Sequence, residues 1–398
     1  MKGLMRLRVA LFTDTFLPDV NGVARTLGRW TQFLEAKGVA CQVFAPTSMT
    51  EGDEDPFRVE RFYSIPFLLY PECRLAIPNP LHIRKSLHAF RPTIIHCATP
   101  FNLGLFGLHH ARKHKTPLVA SYHTHFDQYL SHYKIPWVEP TLWKYMQWFH
   151  QSCQKVYVPS RSTLDHLHAK GLSNLEIWSR GVDTERFRPI ADRRTVLADY
   201  GVDPEKFVLL YVGRLAPEKS VEIAFESFVT LPEHIRSRCH LVIAGDGPSA
   251  AMFRECYGGQ SDVTLTGFVQ GQPLTELYAA ADVFLFPSST ETFGNVILES
   301  MACETAVIGS AAGGVRDTIE HESTGLLCPP GDVFAFSQAI IRLYESNDLR
   351  FKLAKAGREY AMRQSWDRIF HKLLVSYESV VEASMENALH VSSQRMIR

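Results

Sequence analysis

Residues 283–299, V-F-L-F-P-S-S-T-E-T-F-G-N-V-I-L-E, contain the pattern that decides the fold of this chain. The stretch opens with an apolar run that ends at Pro287, which is typical of a buried parallel strand. It ends in a helical pattern, so it predicts a strand, a loop and a helix in succession. Two carboxylates, Glu291 and Glu299, flank Phe-Gly-Asn in that joint. They indicate either an ordinary acidic joint or two acids that bind one ligand at two places.

The same alternation of apolar runs and helical patterns recurs along the whole chain. In the first half the runs are R-V-A-L-F-T (8–13), Q-V-F-A-P (42–46), I-I-H-C-A (94–98), L-V-A-S-Y (118–122), K-V-Y-V-P (155–159) and E-I-W-S-R (176–180). In the second half they are F-V-L-L-Y-V-G (207–213), L-V-I-A-G (241–245), V-T-L-T-G (263–267), V-F-L-F-P (283–287), A-V-I-G-S (306–310) and G-L-L-C-P (325–329). Repeated strand–helix–strand units of this kind predict doubly wound parallel sheets and an α/β fold.

The length and one polar interruption predict two domains. A chain of 398 residues is too long for one ordinary core. The charged stretch 181–194 interrupts the alternation and is interpreted as the interdomain link. We therefore expect two facing Rossmann-like domains, 1–185 and 186–365, with the ligand in the cleft between them. A helical tail, 366–398, follows, and packing back on the N-terminal domain is one option for it.

Composition excludes several classes of protein. The 42 basic and 42 acidic residues balance, so no overall positive field favours nucleic acid. The N-terminus lacks the apolar segment and cleavage site of a signal peptide, and no run reaches the roughly 20 apolar residues of a membrane span. The eight cysteines form no Cys-x-x-Cys pair. These features predict a reduced, cytoplasmic protein.

Cationic and glycine-rich loops in the second half suggest phosphate binding. Gly213, Arg214 and Lys219 follow a predicted strand, where they either neutralise a diphosphate or are merely solvated. Gly245 and Gly247 half-match the dinucleotide fingerprint. Because this match does not open the first strand–helix unit of its domain, it is interpreted as a tight turn beside a nucleotide.

The joint at residues 291–299 completes a predicted nucleotide-sugar site. Gly294 and Asn295 begin the helix, where free backbone N–H groups and the helix dipole favour an anion. Glu299, about one turn further in, can accept both hydroxyls of a ribose. Glu291, in the loop, can accept two hydroxyls of a second sugar.

Linked motifs in both halves resemble one enzyme family. The pattern E-x7-E (291–299), preceded by G-R-x-x-x-E-K (213–219) and G-x-G-P (245–248), resembles the retaining glycosyltransferases of family 4, which have the GT-B fold. The stretch D-T-F-L-P-D-V-N-G-V-A-R-T (14–26) resembles a subgroup of bacterial GDP-mannose-dependent α-mannosyltransferases that act on phosphatidylinositol mannosides and glycolipids. The likeness runs from about residue 7 to Trp366.

The resemblance implies roles for individual residues. Arg214 and Lys219 would hold the donor diphosphate, Glu291 the sugar hydroxyls and Glu299 the ribose, while His123 would lie by the C6 hydroxyl. The implied catalytic set is Glu291, His123, Arg214 and Lys219. The implied donor-binding set is Gly22, Gly213, Arg214, Lys219, Phe268, Val269, Glu291, Phe293, Gly294, Asn295 and Glu299. The implied acceptor-binding set is Asp19, Asn21, His125 and Tyr129. His125 stands where the subgroup often has an aspartate, which leaves the acceptor contacts open.

The resemblance also implies a mechanism without a metal or another cofactor. The only Asp-x-Asp pattern, residues 53–55, is interpreted as a solvated loop. Retention would follow from attack on the same face, with a leaving-group phosphate oxygen taking the acceptor's proton. Double displacement would need a carboxylate nucleophile, for which Glu291 and Asp127 are the candidates. A metal site at His123, His125 and His132 is disfavoured, because no cysteine or carboxylate lies at ligand spacing.

The expected activity is transfer of a hexosyl group, mannose from GDP-mannose, to a lipid or sugar hydroxyl. A UDP-glucose-dependent glucosyltransferase that makes glycolipid is the nearest alternative. A nucleotide-sugar epimerase and a non-catalytic sugar-nucleotide sensor are more distant ones.

A locally basic segment, residues 61–118, carries eight Arg or Lys residues and one acid. It contains the helical pattern L-H-I-R-K-S-L-H-A-F (81–90), in which Ile83, Leu87 and Phe90 share one face. This helix either packs its apolar stripe on the sheet or contacts an anionic membrane, on the inner face of the plasma membrane, that carries the acceptor.

Overall fold

A computed structural model describes residues 7–19, 21–47, 58–66, 74–123, 136–189 and 192–396. The chain divides into two compact units. The first comprises Met1–Pro159, Leu164–Trp178 and Asp367–Arg398. The second comprises Ser160–Thr163 and Ser179–Trp366.

The first unit is built on a seven-stranded parallel sheet, ordered β3-β2-β1-β6-β7-β8-β9. Its strands are β1 (Arg8–Phe12), β2 (Ala40–Pro46), β3 (Val59–Phe62), β6 (Ile94–Cys97), β7 (Leu118–Ser121), β8 (Lys155–Val158) and β9 (Leu175–Ile177). Strands β4 (Ser64–Pro66) and β5 (Arg74–Ala76) follow β3 in the sequence and form a separate antiparallel pair. The helices that follow these strands are α1 (Gly22–Ala36), α2 (Pro80–Phe90), α3 (Asn102–His114), α4 (Glu139–His150) and α5 (Arg161–Ala169), and a 3-10 turn, Pro136–Val138, precedes α4.

The second unit is built on a six-stranded parallel sheet, ordered β12-β11-β10-β13-β14-β15. Its strands are β10 (Phe207–Val212), β11 (Cys239–Ala244), β12 (Val263–Gly267), β13 (Val283–Phe286), β14 (Ala306–Ser310) and β15 (Leu326–Cys328). Its helices are α6 (Arg193–Asp199), the 3-10 turn Pro217–Lys219, α7 (Val221–Val229), α8 (Glu233–Arg236), α9 (Ala250–Tyr257), α10 (Gln272–Ala280), α11 (Asn295–Ala302), α12 (Val315–Thr318), α13 (Val333–Glu345) and α14 (Asn347–Met362). The last helix of the chain, α15, spans Trp366–Met396.

The central strand β10 shows why its sequence is apolar without interruption. Phe207, Leu209 and Tyr211 enter one apolar cluster of the second unit. The alternate residues Val208, Leu210 and Val212 enter another. Since both faces of the sheet are covered, every position of the strand is buried.

All twelve predicted strands are confirmed, with ends shifted by a few residues. Three short strands, β3 to β5, were not predicted. Their sequences, V-E-R-F, S-I-P and R-L-A, are too short to contain an uninterrupted apolar run. In addition, β3 is an edge strand, and edge strands often carry charged side chains.

The predicted division at residues 185 and 186 differs from the one observed, which follows Trp178. The predicted link, residues 181–194, is part of the second unit instead. Val182 pairs with Ser365 in a parallel bridge, and both Val182 and Phe187 are buried in the second unit's core. The many charged residues of this stretch led to its interpretation as a link, although Val182 and Phe187 pack in the core. The tail from Asp367 onward belongs to the first unit, where Phe370 packs against Trp30 with ring centroids 5.4 Å apart.

Two findings bear on the predicted compartment. Among the described residues no helix is long and apolar enough to cross a membrane. The seven described cysteines are free thiols, and all except Cys256 are buried.

Candidate functional site

The second sheet has its topological switch point between β10 and β13. From β10 the chain runs outward to β11 and β12, and then returns to place β13 on the other side of β10. In open α/β sheets this is where ligands bind, beyond the carboxyl ends of the strands. The loop after β10 contains Arg214 and Lys219, and the loop after β13 contains Glu291. The fold therefore brings two predicted regions to one edge of the sheet.

Lys219 and Glu291 form an ion pair at this edge. Lys219 Nζ lies 2.5 Å from Glu291 Oε1, and each side chain is 18% exposed. Arg214 is paired in turn with the carboxylate of Glu218, which is almost fully buried. The predicted phosphate-binding cations thus carry carboxylate partners here. Glu291 keeps some exposure to water, whereas Glu218 has little.

The two loops are also joined through their backbones. The carbonyl of Glu218 accepts hydrogen bonds from Ser288 Oγ at 3.3 Å and Thr290 Oγ1 at 3.0 Å. The Tyr211 hydroxyl, on β10, donates to the carbonyl of Arg214 at 3.2 Å. Burial raises the pKa of Tyr211, so it remains a neutral donor. These bonds fix the loop that carries Arg214 and Lys219.

Helix α11 begins where the sequence predicts. Asn295 is its first residue, and Gly294 precedes it with a φ of 86°, a left-handed conformation that favours glycine. The side-chain oxygen of Asn295 is buried and has no hydrogen-bond partner among the described residues. Glu299 lies one turn into the helix, where its Oε2 accepts a hydrogen bond from Tyr278 Oη at 3.1 Å. Tyr278 was not identified from the sequence.

Gly313 and Gly314 form a second feature that sequence reasoning missed. The backbone N–H of Gly314 donates to the carbonyl of Glu291 at 2.7 Å. A Cβ on Gly314 would lie 2.2 Å from the carbonyl oxygen of Thr292, so only glycine permits this approach. The Gly-Gly pair shortly after strand β14 was the available signal. It holds the loop that carries Glu291.

Gly245 and Gly247 lie in a tight loop, as predicted. A Cβ on Gly245 would lie 1.8 Å from the carbonyl oxygen of Gly213, and one on Gly247 would lie 2.5 Å from that of Leu215. The two glycines let the loop after β11 pack on the loop after β10. Beyond β12, Phe268 is 56% exposed and Val269 packs against the core of the unit.

In the first unit, Asn21 and Asp19 belong to one local hydrogen-bond network. Asn21 Oδ1 accepts from the backbone N–H of Ala24 at 2.9 Å and so caps α1. Asn21 Nδ2 donates to Thr15 Oγ1 at 2.8 Å, and Thr15 Oγ1 donates to Asp19 Oδ2 at 3.1 Å. Gly22, which belongs to the implied donor-binding set, is the first residue of α1.

His123 lies two residues beyond the end of β7. Its Nε2 is 2.7 Å from Ser121 Oγ, and its ring packs edge-on against Trp178 at 5.6 Å. The other predicted acceptor residues, His125 and Tyr129, lie outside the described residues, as do Asp127, His132 and residues 53–55. Within the described ranges no group of three or more His, Cys, Asp or Glu side chains could hold a metal ion.

Helix α2 buries the apolar face that the sequence predicts. Ile83, Leu87 and Phe90 are at most 4% exposed and pack in the core of the first unit. Arg84 and His88 are exposed. The packing interpretation of this helix is therefore confirmed, while its exposed face carries positive charge.

Comparison with known proteins places the chain in a family. A family model described as Glycosyltransferase Family 4 matches residues 20–186, and one described as Glycosyl transferases group 1 matches residues 192–360. A GDP-mannose-dependent alpha-mannosyltransferase from Mycobacterium tuberculosis is 33% identical over 94% of this chain and 97% of its own length. The sulfoquinovosyl transferase SQD2 of Arabidopsis thaliana is 30% identical over 90% of this chain and 71% of its own.

A solved structure shares the fold. Sucrose-phosphate synthase from Thermosynechococcus elongatus superimposes with a TM-score of 0.81 at 23% identity, over 95% of this chain and 100% of the other. The two parallel sheets, the linked motifs and these matches agree. The chain belongs to the family 4 glycosyltransferases, enzymes of GT-B fold that transfer hexosyl groups.

Proposed function

We propose that this glycosyltransferase moves mannose from GDP-mannose to a hydroxyl of a lipid or sugar, with retention of configuration and without a metal ion. The observation that carries the proposal is the ion pair of Lys219 with Glu291 beside the start of α11. It places a cation, a carboxylate and a helix N-terminus within one loop cluster. The GDP-mannose-dependent relative, 33% identical over 94% of this chain, supports the choice of donor.

The ion pairs suggest how the donor binds. A diphosphate brings negative charge to both cations. It replaces Glu291 as the partner of Lys219, and it adds a second partner to Arg214, which keeps its pairing with the buried Glu218. Glu291 then loses its cation and becomes available to accept hydrogen bonds from sugar hydroxyls. Because the side chains of Lys219 and Glu291 remain 18% exposed, this exchange requires no burial of an unpaired charge.

The same groups serve the chemical step. As the sugar–phosphate bond breaks, negative charge develops on the departing diphosphate. Lys219, Arg214 and the backbone N–H groups at the start of α11 stabilise that charge, which is the role that a divalent ion plays in metal-dependent glycosyltransferases. The acceptor attacks on the face that the diphosphate leaves, and a phosphate oxygen takes its proton.

Calorimetric titration with GDP, UDP and ADP in EDTA tests this proposal. GDP alone should bind tightly, and Glu299→Ala should weaken its binding because the ribose loses its carboxylate. Exposed Glu345→Ala, on α13, is the matched control. A requirement for divalent ion would contradict the metal-free site. Preference for UDP would keep the mechanism and change the donor to a UDP-hexose.

The rate of GDP release and the stereochemistry of the released sugar test the proposed chemical step. GDP release from GDP-mannose requires no identified acceptor when water takes the hexosyl group. The anomeric configuration of the released sugar, observed by NMR before it mutarotates, reports retention or inversion. An inverted product would contradict same-face attack.

The acceptor is proposed to reach the enzyme at an anionic, cytoplasmic membrane surface. The exposed Arg84 and Lys85 of α2 supply positive charge on a helix whose apolar face is already buried in the protein. Contact through this helix is therefore electrostatic and should weaken with salt.

Sedimentation with anionic and neutral vesicles tests this, with Arg84→Glu/Lys85→Glu against the control Lys352→Glu/Lys355→Glu. Equal, negligible binding to both vesicles would exclude it.

A further inference from the structure

A chain of hydrogen bonds in the first unit ends at His123. Tyr377, on α15, places its Oη 2.6 Å from His96 Nδ1. The other ring nitrogen of His96, Nε2, lies 2.9 Å from Ser121 Oγ. Ser121 Oγ lies 2.7 Å from His123 Nε2. Three side chains from β6, β7 and the last helix thus form a continuous relay to His123, a residue of the implied catalytic set.

The relay is shielded from water along most of its length. Tyr377 and His96 are fully buried, and Ser121 is 1% exposed. The rings of Tyr157 and Trp178 pack edge-on against His96 at 6.2 and 6.0 Å. Burial lowers the pKa of His96 to about 3, so its ring is neutral at physiological pH and carries one N–H. A neutral ring with one hydrogen gives the relay a direction.

Only one direction satisfies every hydrogen. If Tyr377 donates to His96 Nδ1, His96 Nε2 donates to Ser121, and Ser121 donates to His123 Nε2. In the reverse direction His96 Nδ1 donates to Tyr377, whose own hydrogen then needs a second acceptor. Among the described residues, Tyr377 Oη makes its hydrogen bond to His96, and the neighbouring indole of Trp30 can only donate. The reverse direction would bury an unsatisfied hydroxyl hydrogen, which is costly.

We propose that Tyr377, His96 and Ser121 are positioning residues that fix the tautomer of His123, with its ring hydrogen on Nδ1. This inference rests on the proposed function and on the catalytic role that the family resemblance implies for His123. Since His123 Nε2 accepts from Ser121, its ring hydrogen lies on Nδ1. The last helix therefore contributes to the chemistry of a residue that precedes it by more than half the chain.

The tautomer can be observed directly. In protein labelled with ¹⁵N-histidine, long-range ¹H–¹⁵N spectra distinguish a hydrogen on Nδ1 from one on Nε2, and His123→Gln assigns the signal. Wild-type His123 should carry its hydrogen on Nδ1. In Tyr377→Phe, which keeps the ring and removes the donor, both tautomers should appear. Tyr360→Phe, a change of the same size in the second unit, should leave the His123 spectrum unaltered.

Kinetics provides the second readout. Tyr377→Phe should lower kcat for GDP release from GDP-mannose about tenfold, the effect of one misdirected hydrogen bond. The affinity for GDP should remain unchanged, since GDP carries no transferred sugar. Ser121→Ala interrupts the relay nearer His123 and should reproduce both effects if Tyr377→Phe proves too unstable to purify.

The outcomes separate this inference from the function on which it rests. Wild-type His123 with its hydrogen on Nε2 would overturn the relay, as would a Tyr377→Phe variant with the wild-type tautomer or with unchanged kcat. Failure of the wild-type protein to bind GDP would instead refute the proposed donor, while the spectra would still decide the direction of the relay.

Discussion

The ion pair of Lys219 with Glu291 and the relay from Tyr377 to His123 both lie near the ends of parallel strands, yet they consist of opposite kinds of group. The ion pair joins two charges that each remain 18% exposed. Three of the four residues in the relay are buried and its central imidazole is neutral. The difference shows which cluster can change partners. Water can replace a partner of the ion pair, but nothing inside the core can replace a partner of the relay.

Substitutions in the two clusters should therefore have different effects on stability and activity. A charge that must bind a diphosphate has to be reachable, so its partner contributes little to stability. A buried neutral network contributes to stability because each broken bond leaves an unsatisfied group. Substitutions in the first cluster should therefore affect activity, and those in the second should affect both stability and activity.

The largest expected effect is on activity, in Lys219→Met. Removal of the cation that faces the departing diphosphate should lower kcat/KM on the order of 10³-fold. The free energy of unfolding should change by about 1 kcal/mol or less, because Glu291 can be hydrated in its exposed fraction. GDP release and urea unfolding measure the two quantities. Lys352→Met, on the surface of α14, should alter neither. If the free energy of unfolding fell by as much as the activation free energy rose, the ion pair would contribute to stability as the relay does, which would contradict the contrast.

The next effect is on stability, in His96→Leu. Leucine fills a similar volume but leaves the hydroxyls of Tyr377 and Ser121 without their partner, at a cost of about 3 kcal/mol in the free energy of unfolding. The matched control is His240→Leu, since His240 is also buried but, within the described part of the chain, has one side-chain hydrogen bond, to Thr264 Oγ1 at 2.9 Å. It should lose about 1 kcal/mol. Equal losses in urea unfolding would mean that the relay adds nothing beyond a single hydrogen bond.

The two clusters also differ in how far the sequence predicts them. Gly213, Gly294 and Glu299 lie where strand and helix periodicity place them, because each is defined by its distance from one predicted element. The pairing of Lys219 with Glu291 joins residues 72 positions apart, and that of Tyr377 with His96 joins residues 281 apart. Such contacts depend on strand order and helix packing, which periodicity does not encode. The strands β3 to β5 escaped prediction because their short sequences lack an uninterrupted apolar run.

The pH dependence of stability sharpens the second prediction. Unfolding returns the pKa of His96 from about 3 to its ordinary value of 6.5, so the unfolded chain binds a proton that the folded protein excludes. Stability from this residue is thus present above pH 6.5 and is lost as pH falls toward 3. The difference between wild type and His96→Leu should shrink by about 2 kcal/mol from pH 7 to pH 5.

Other buried groups do not confound this measurement. Burial raises the pKa of Asp14 to about 6 and lowers that of His150 to about 4, which changes stability with opposite signs over the same range. Both residues are present in wild type and variant, so their contributions cancel in the difference. A difference that is constant with pH would show that His96 has the same pKa in the folded and the unfolded states, so that burial does not hold its ring neutral over this range.

The smallest expected effect is on the affinity for GDP, in Tyr278→Phe. This variant tests whether the hydrogen bond to Glu299 only orients the carboxylate that is proposed to bind the ribose. Tyr278→Phe removes the hydrogen bond that Tyr278 Oη donates to Glu299 Oε2 and leaves the carboxylate in place. Affinity for GDP should fall severalfold, about 1 kcal/mol, against a larger fall for Glu299→Ala. Tyr200→Phe, at the same core, is the control for loss of a tyrosine hydroxyl. If Tyr278→Phe weakens GDP as much as Glu299→Ala, the carboxylate depends on a fixed partner, and the charged site would then resemble the buried relay rather than contrast with it.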